Sequence, residues 1–251
     1  MTNQTLRTKI SVVVPFFNTP KELFIKCLDS LKKLNLDEVI LVDDCSTDKE
    51  IIKIAKKSGF KYLKTPYQSG GDGLAFNIGV RIARNEYICK VDHDDELLDL
   101  PLNIYSDIHL AFIDRSGLAV GITIDNLILM PRAIINGMVA KKEIWQKYPL
   151  EKDKNIYWDI FMFLRILNNN YSITVHNKIN YLYKNNPSSI MNTNNEFYHR
   201  LRHIQTVARF CQYEDIEPLK AIEYMKLAML NLQYGGQSMN YLSQLKETNE
   251  K

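Results

Sequence analysis

The sequence lacks the cysteine pairs, long apolar runs and charge excess that would assign it to several common classes of protein. Its four cysteines are far apart and form no Cys-x-x-Cys pair, which predicts reduced, mostly buried thiols rather than a disulfide framework or a zinc site. A net charge of +3 over 251 residues argues against a dedicated nucleic-acid-binding protein. No apolar run approaches the roughly 18–20 residues that cross a membrane.

The N-terminal stretch also lacks the features of a secretory signal. Its apolar part is too short and no small-residue cleavage site follows it, so we expect a cytoplasmic protein. With 45% hydrophobic and 24% charged residues, the composition is that of a globular chain, and its length suits one large domain or two small ones. The charge balance leaves room for a local basic patch that faces phosphates or an anionic membrane surface.

From Lys9 to Asp95, short β-branched runs alternate with helical patterns. The pattern predicts strands at 10–14, 39–42, 60–63 and 87–91, with helices at about 20–34, 48–58 and 74–83 between them. We expect Ser46 or Thr47 to cap the second helix. The alternating order predicts an α/β fold with a mainly parallel sheet covered by helices on both faces.

Beyond residue 100 the periodicity is weaker. It predicts a strand region over 118–130, a short helix over 141–147, a stronger helix over 159–167 and two helical segments between 197 and about 232. We therefore divide the chain into an α/β domain over residues 1–192 and a C-terminal helical extension over 193–251. The α/β domain has a first half at about 9–100 and a second half at about 101–192. The last helices are a candidate surface for a partner or for peripheral membrane contact.

Polar and acidic clusters follow three of the predicted strands. They are Pro15–Asn18 after the first strand, Asp43–Asp48 after the second and Asp92–Glu96 after the fourth. Because ligands of open parallel sheets bind beyond the carboxyl ends of the strands, we expect these clusters to share one edge.

The third cluster is the most informative, since Asp92, Asp94 and Asp95 place three carboxylates within four residues. Their mutual repulsion favours a bound Mn²⁺ or Mg²⁺, which prefer hard oxygen ligands. The alternative is a solvated acidic turn that caps the next helix. Asp43 and Asp44 are similarly open to two interpretations, as acceptors for a uracil imide or ribose hydroxyl and as helix caps.

Three runs together resemble the nucleotide-sugar-binding half of the family 2 glycosyltransferases, which have the Rossmann-like GT-A fold. They are Ile10–Asn18, Val42–Asp48 and Val91–Asp95, in the order and spacing of that family. The resemblance covers about the first hundred residues. It implies that the half at about 9–100 binds the nucleotide sugar and that the half at about 101–192 is the acceptor and catalytic half. It implies an inverting transfer from a nucleotide-diphosphate sugar, with UDP the expected nucleotide, to a glycan, glycolipid or glycoprotein hydroxyl, with divalent-metal assistance.

The resemblance also implies roles for residues of the first two clusters. Pro15 and Phe17 would line the base pocket, with Asn18 beside them, and Asp44 would contact the uracil, with Asp43 next to it.

In the third cluster, the resemblance implies that Asp94 and Asp95 face the sugar, the diphosphate and the metal. Asp95 is the preferred direct ligand and Asp92 supports it. Asp159, at the start of a predicted helix, is the best match to the catalytic base. Lys184 stands where an arginine is common and would hold phosphate as a point charge.

The chain departs from the family pattern at Phe76, Trp158 and Asn186, where Arg, an acidic residue and His are common. These departures keep open a non-catalytic nucleotide-sugar-binding or scaffold protein. A sugar-nucleotide pyrophosphorylase is a weaker alternative, because the glycine-rich basic signature near the first strand is missing.

Overall fold

A computed structural model describes residues 9–101, 103–114, 122–131, 135–151, 157–184 and 196–234. These residues fall into two compact units. The sheet unit contains described residues up to 114 together with 135–151 and 171–184, and the helical unit contains 122–131, 157–170 and 196–234. The predicted domain boundary at residue 192 stays a prediction.

All strands of the described residues lie in the sheet unit. They are β1 (Ile10–Phe16), β2 (Glu38–Asp43), β3 (Lys61–Lys64), β4 (Tyr87–Lys90), β5 (Glu96–Leu97), β6 (Ile108–Leu110), β7 (Val139–Lys141), β8 (Ile173–Val175) and β9 (Tyr181–Leu182). The main sheet has the order β3-β2-β1-β4-β7-β6-β8, and β5 pairs with β9 separately. Strands β1 to β4 run parallel and β7 runs antiparallel to its neighbours, so the predicted mainly parallel α/β sheet is confirmed.

Helices of the described residues are α1 (Lys21–Lys33), α2 (Lys49–Lys57), α3 (Asp72–Ile82), α4 (Ile124–Leu129), α5 (Lys142–Lys147), α6 (Trp158–Leu167), α7 (Glu196–Tyr213) and α8 (Pro218–Tyr234). The first three and α5 belong to the sheet unit, and the others form the helical unit. The connections β1-α1-β2-α2-β3 step along the sheet in one direction and α3 returns to β4. Right-handed crossovers therefore put α3 on the opposite face from α1 and α2.

The buried strand β1 anchors this arrangement. Val12, Val13 and Val14 are fully buried, as expected for a strand covered on both faces. Helix α3 lies so close to β1 that a Cβ added at Gly79 would fall 2.3 Å from a methyl group of Val13. Glycine at position 79 is therefore what allows the close approach of helix to sheet.

Helix α2 begins one residue later than predicted, and its cap is Asp48 rather than Ser46 or Thr47. The Asp48 carboxylate accepts hydrogen bonds from the N–H groups of Glu50 and Ile51 at 2.8 and 3.3 Å. A carboxylate reaches these exposed donors as well as a hydroxyl does and also favours the positive end of the helix dipole.

The helical unit is held by polar contacts around an apolar core. Arg165 of α6 forms an ion pair of 2.8 Å with Glu214, and its guanidinium lies 4.1 Å from the centre of the Tyr213 ring. The imidazole of His203 contacts the carbonyl of Ile128 at 2.6 Å. These contacts join α6 and α4 to α7, segments that are far apart in sequence.

The predicted strand region at 118–130 is wrong where it can be compared. Residues 118–121 lie outside the described residues, and 124–129 form helix α4, whose N-terminus is capped by the Thr123 hydroxyl. The apolar residues there suggested a strand, but a six-residue run is too short to separate the two periodicities. The predicted helices near 141–147, 159–167 and 197–232 are confirmed, with the break before Pro218.

The four cysteines form no disulfide, as predicted, and Cys27, Cys89 and Cys211 are buried. Within the part of the chain that the structure describes, no helix has the length and apolar character to span a bilayer.

Candidate functional site

The three polar clusters follow the carboxyl ends of adjacent parallel strands. Strand β1 lies between β2 and β4, with Phe16 in register with Asp43 and Val13 in register with Lys90. The ends of β2 and β4 are therefore two strand spacings, about 10 Å, apart at the same edge of the sheet. The strand order therefore places the three clusters at the same edge of the sheet, as expected.

The first cluster forms the loop after β1. Pro15 is buried within the strand, whereas the Phe17 side chain is 36% exposed beside it. Asn18 has a positive φ of 41°, and its side-chain oxygen accepts hydrogen bonds from the N–H groups of Thr47 and Asp48 at 2.9 and 3.0 Å. Asn18 thus ties the loop after β1 to the loop after β2.

Asp43 lies at the end of β2, where its carboxylate is hydrogen-bonded within the protein. Its carboxylate is fully buried and accepts hydrogen bonds from the Ser46 N–H and the Tyr62 hydroxyl, each at 2.7 Å. Burial and the bond to this carboxylate raise the pKa of Tyr62 above its ordinary value, so the phenol remains a donor. Asp43 shapes the loop, and a role in donor binding stays a prediction.

Asp44 binds the glycine-rich turn that precedes α3. It is 3% exposed and accepts hydrogen bonds from the N–H groups of Ser69 and Gly70 at 3.0 and 3.2 Å and from the Thr65 hydroxyl at 3.2 Å. The glycine-rich turn, Ser69–Gly71, is therefore tied to the end of β2 through this carboxylate. Contact of Asp44 with a uracil stays a prediction.

The acidic segment after β4, Asp92–Asp95, is organised by residues that sequence reasoning did not identify. One oxygen of Asp92 forms an ion pair with the ammonium group of Lys90, and the other accepts a hydrogen bond from the Asn136 amide. That amide also lies 3.5 Å from the carboxylate of Asp95. Asp92 is therefore held from both sides and linked to Asp95.

Asp95 is the most buried carboxylate of the acidic segment, with 1% exposure. Its oxygens accept hydrogen bonds from the Tyr181 hydroxyl at 2.9 Å and the Lys184 backbone N–H at 2.8 Å. Burial, and then the neighbouring carboxylate of Asp92, raises the pKa of Asp95 to about 8. The negative charge of the segment is only partly compensated by these contacts.

Lys184 contacts the acidic segment through its backbone N–H, which donates to Asp95. Its ammonium group forms an ion pair of 2.9 Å with Glu96, and the side chain is 31% exposed. Asp94 is more accessible than Asp95, at 18% side-chain exposure, and lies 3.9 Å from the Nδ1 atom of His93. Of the predicted residues, Asp92, Asp94, Asp95 and Lys184 are brought together.

A glycine makes this arrangement possible next to Asn136. Gly137 has φ +70°, and a Cβ there would lie 2.6 Å from the Tyr181 ring and 2.8 Å from the Cβ of Ala111. Both the backbone conformation and the lack of space require glycine at this position.

The described residues contain no group of three or more His, Cys, Asp or Glu side chains arranged to hold a metal ion. The chemistry of the acidic segment nevertheless fits a hard divalent cation. Asp94 and Asp95 supply carboxylate oxygens, and a cation beside them would lower the raised pKa of Asp95. Both oxygens of Asp92 and both oxygens of Asp95 have partners in the protein, so a cation at Asp95 would share its oxygens with the Tyr181 hydroxyl and the Lys184 N–H.

The remaining predicted residues lie elsewhere. Asp159 is half-buried in the first turn of α6, in the helical unit. Phe76 is fully buried, with its ring 4.7 Å from that of Trp145, so position 76 belongs to the core of the sheet unit. Asn186 lies outside the described residues.

Two of the missed residues had a signal in the sequence. Lys90 interrupts an otherwise apolar strand directly before the aspartates, and a buried ammonium group requires carboxylate partners. Tyr181 lies three residues before Lys184, which the family resemblance had singled out. Asn136 had no such signal, because its contact with Asp92 joins residues 44 positions apart.

All three strand-end clusters lie in the segment of the chain that is similar to known proteins. Residues 11–101 match the family described as glycosyl transferase family 2. Over 95 residues the chain is 39% identical to a poly(ribitol-phosphate) beta-glucosyltransferase of Bacillus spizizenii, which is 35% of this chain and 15% of that protein. It is 40% identical over 91 residues to the glycosyltransferase GlyG of Streptococcus pneumoniae, which is 34% of this chain and 30% of that protein. The chain thus spans a small part of the curated relatives that it matches.

Solved structures share the fold over nearly the whole chain. The crystal structure of Staphylococcus aureus TarS residues 1–349 in complex with UDP-GlcNAc gives a TM-score of 0.67 at 19% identity, over 92% of this chain and 76% of that one. A mannosyltransferase of Pyrobaculum calidifontis in complex with GDP-Man and Mn²⁺ gives 0.57 at 14% identity, over 98% and 82%. The expected GT-A fold is confirmed. The segment that is similar to glycosyltransferase family 2 carries the strand-end aspartates.

Proposed function

We propose that the protein is an inverting glycosyltransferase that moves a sugar from a nucleotide-diphosphate donor, with UDP as the expected nucleotide, to a hydroxyl of a glycan or glycolipid. The observation that carries the proposal is a continuous set of contacts at the edge of the sheet. It runs from Asp44 through the glycine-rich turn to Asp72, then through Lys90, Asp92 and Asn136 to Asp95. Carboxylates after β2 and β4 thus belong to one structure rather than to separate surfaces.

The nucleotide end of the donor is assigned to the loops after β1 and β2. Phe17 offers an exposed aromatic face for a base, and Pro15 and Asn18 fix the loop that carries it. Asp44 lies beside this loop with the backbone N–H groups of the glycine-rich turn. A base with an imide N–H suits a carboxylate acceptor, which supports UDP as the nucleotide.

The diphosphate and sugar are assigned to the acidic segment. Mn²⁺ or Mg²⁺ held by Asp94 and Asp95 would supply Lewis-acid stabilisation of the leaving nucleoside diphosphate. Asp92 orders the segment from its inner side, and the Lys184 backbone holds Asp95. The Lys184 ammonium group, at present paired with Glu96, is near enough to the segment to serve a phosphate as a point charge.

The acceptor hydroxyl is a weak nucleophile at neutral pH and needs a positioned base. We assign this role to Asp159, whose carboxylate would take the proton as the oxygen attacks the anomeric carbon from the face opposite the leaving group. Attack from that side inverts the anomeric configuration. The assignment rests on the position of Asp159 at the start of α6 and on the family resemblance.

The acceptor class is supported by the relatives, among them one named for a poly(ribitol-phosphate) acceptor and one named simply as a glycosyltransferase. A polymer or lipid-linked acceptor that carries sugar or polyol hydroxyls is consistent with the names of these relatives. Peripheral membrane contact through a glycolipid acceptor stays a prediction.

The test is a product assay with a panel of UDP-sugars and Mn²⁺, with saccharide and polyol-phosphate acceptors. Acceptor-dependent release of UDP with a new glycosidic bond supports the proposal, and Asp95→Ala should abolish it. UTP formation that depends on pyrophosphate would assign the protein to the pyrophosphorylases instead. Donor binding with no turnover on any acceptor or water would favour a non-catalytic binding protein.

A further inference from the structure

Lys90 is a cationic side chain enclosed in the core at the end of β4. It is 1% exposed and follows the buried Cys89 in a strand that is otherwise apolar. Its ammonium group lies 3.1 Å from a carboxylate oxygen of Asp72 and forms a second ion pair with Asp92. An ammonium group is retained in such a place only when it is well paired, because its desolvation is unfavourable.

The two carboxylates keep this lysine charged. Burial alone would lower the pKa of Lys90, but the charges of Asp92 and Asp72 outweigh that effect and raise it above its ordinary value. The carboxylates themselves are partly accessible, with side-chain exposures of 25% for Asp72 and 26% for Asp92. His93 is a further titratable group near Asp72.

Each partner of Lys90 belongs to a different part of the candidate site. Asp72 begins α3, directly after the turn whose Ser69 and Gly70 N–H groups bind Asp44. Asp92 begins the acidic segment that contains Asp94 and Asp95. The ammonium group is therefore the link between the glycine-rich turn and the acidic segment.

The pairing also fixes the orientation of Asp92. One of its oxygens is paired with Lys90 and the other accepts a hydrogen bond from Asn136. Without Lys90, Asp72 and Asp92 would add an uncompensated negative charge beside the place assigned to a diphosphate.

We propose that Lys90 is a positioning residue of the donor site: its buried ammonium group binds Asp72 and Asp92 together and so fixes the acidic segment relative to the glycine-rich turn. The inference rests on the proposed function for the identity of the ligand. The tether itself can be measured without any ligand.

The experiment compares Lys90→Met, the double variant Lys90→Met/Asp72→Asn and the control Lys142→Met. The double variant has the same net charge at the site as the wild type but lacks the tether, and it leaves Asp92 bonded to Asn136, which favours folding. Lys142 is a matched lysine, since its ammonium group donates hydrogen bonds to the carbonyls of Arg81 and Ala83 at the C-terminal end of α3. Affinity for UDP in the presence of Mn²⁺ is measured by calorimetry, and amide hydrogen exchange is measured on the ligand-free proteins.

Both Lys90 variants should bind UDP about tenfold more weakly than wild type or worse, and the double variant should do so with its melting temperature largely recovered. Exchange should accelerate in the segments 69–73 and 92–95 together. Lys142→Met should retain wild-type UDP affinity and slow exchange in both segments.

Recovery of wild-type affinity and exchange by the double variant would overturn the proposal, because Lys90 would then only offset charge. Unchanged exchange in both segments of the double variant would overturn it as well, whatever the binding data. Failure of the wild type itself to bind UDP would contradict the proposed function instead, and the exchange comparison would still decide the role of Lys90.

Discussion

The hydroxyl of Tyr181 bridges the two ends of the acidic segment: it donates to the Asp95 carboxylate at 2.9 Å and accepts from the Asp92 backbone N–H at 3.0 Å. The tyrosine is fully buried, and burial together with the nearby carboxylates raises its pKa well above the ordinary value. It therefore stays a neutral donor throughout the physiological range. Removing its oxygen leaves a buried carboxylate oxygen and a buried N–H short of a partner.

We expect Tyr181→Phe to lower the free energy of unfolding by about 1–3 kcal/mol, the usual cost of leaving buried polar groups unsatisfied. Urea denaturation followed by circular dichroism measures the change. Tyr105→Phe is the control, because the Tyr105 side chain is 76% exposed and its loss should change stability by less than about 0.5 kcal/mol. Equal stability of Tyr181→Phe and the wild type would show that the bridge contributes nothing.

Asp159→Asn separates catalysis from binding. The variant keeps the shape of the side chain but cannot accept the acceptor proton, so the rate of UDP release should fall about a hundredfold or more. Its affinity for UDP with Mn²⁺ should match that of the wild type. Asp125→Asn, in the first turn of α4 in the same unit, is the matched control and should retain full turnover. A near-wild-type rate for Asp159→Asn would assign the base elsewhere.

Gly79→Ala tests the close approach of α3 to β1. Alanine ordinarily favours a helix interior, but here its methyl group would overlap Val13 at 2.3 Å. We expect a net loss of about 1–3 kcal/mol in the free energy of unfolding, typical of overpacking in a core. Gly71→Ala, with extended backbone and no heavy atom within 4 Å of the added Cβ, should cost less than about 1 kcal/mol, mainly through helix capping. A stabilised Gly79→Ala protein would contradict the packing.

His109 makes the sheet unit sensitive to acid. Burial, and then the charge of His176, lowers the pKa of His109 to about 4, and its Nε2 atom accepts a hydrogen bond from the Ser106 N–H. The unfolded chain binds this proton near pH 6.5, so the contribution of His109 to stability should fall as the pH drops from 6.5 towards 4, by about 2 kcal/mol at pH 4.5. The raised pKa of Asp95 changes stability in the opposite direction in this window, so the effect is read from the difference between the wild type and a His109 variant. Asp107 will not mask the effect, since its pKa of about 2 keeps its contribution intact in that window.

Unfolding free energies at pH 7 and pH 4.5 check this prediction. His109→Asn keeps a hydrogen-bond acceptor without the titration and should lose markedly less stability between the two pH values than the wild type. The same pH dependence in both proteins would place the acid sensitivity in other groups.

The sequence was sufficient for the parallel part of the sheet because strands such as β1 and β2 are continuous apolar runs followed by polar residues, and that pattern has one common explanation. It was not sufficient for α4, because its six residues fit the periodicity of a helix and that of a strand equally well. The side-chain cap at Thr123 favours the helix. The helical unit gathers 122–131 and 157–170 with the C-terminal helices, a grouping that depends on contacts such as His203 with Ile128. Contacts between such distant segments leave no local pattern.

The candidate site was predictable to a similar depth. Aspartates that follow apolar strands can be recognised in the sequence. Their convergence follows from the parallel arrangement of those strands. What the sequence did not give is how each carboxylate is used: Asp43 and Asp44 bind loops, and Asp92 is held by Lys90 and Asn136. Those partners come from other turns and strands, so only the folded chain identifies them.

The most direct test of the account is calorimetric titration of UDP into the wild-type protein and into Asp95→Asn, each with saturating Mn²⁺. Asp107→Asn, a carboxylate at the start of β6 that pairs with Lys141, serves as the control. The account predicts one UDP site in the wild type and in the control, with affinity lost in Asp95→Asn. Equal UDP affinity in all three proteins, or none in the wild type, would contradict it.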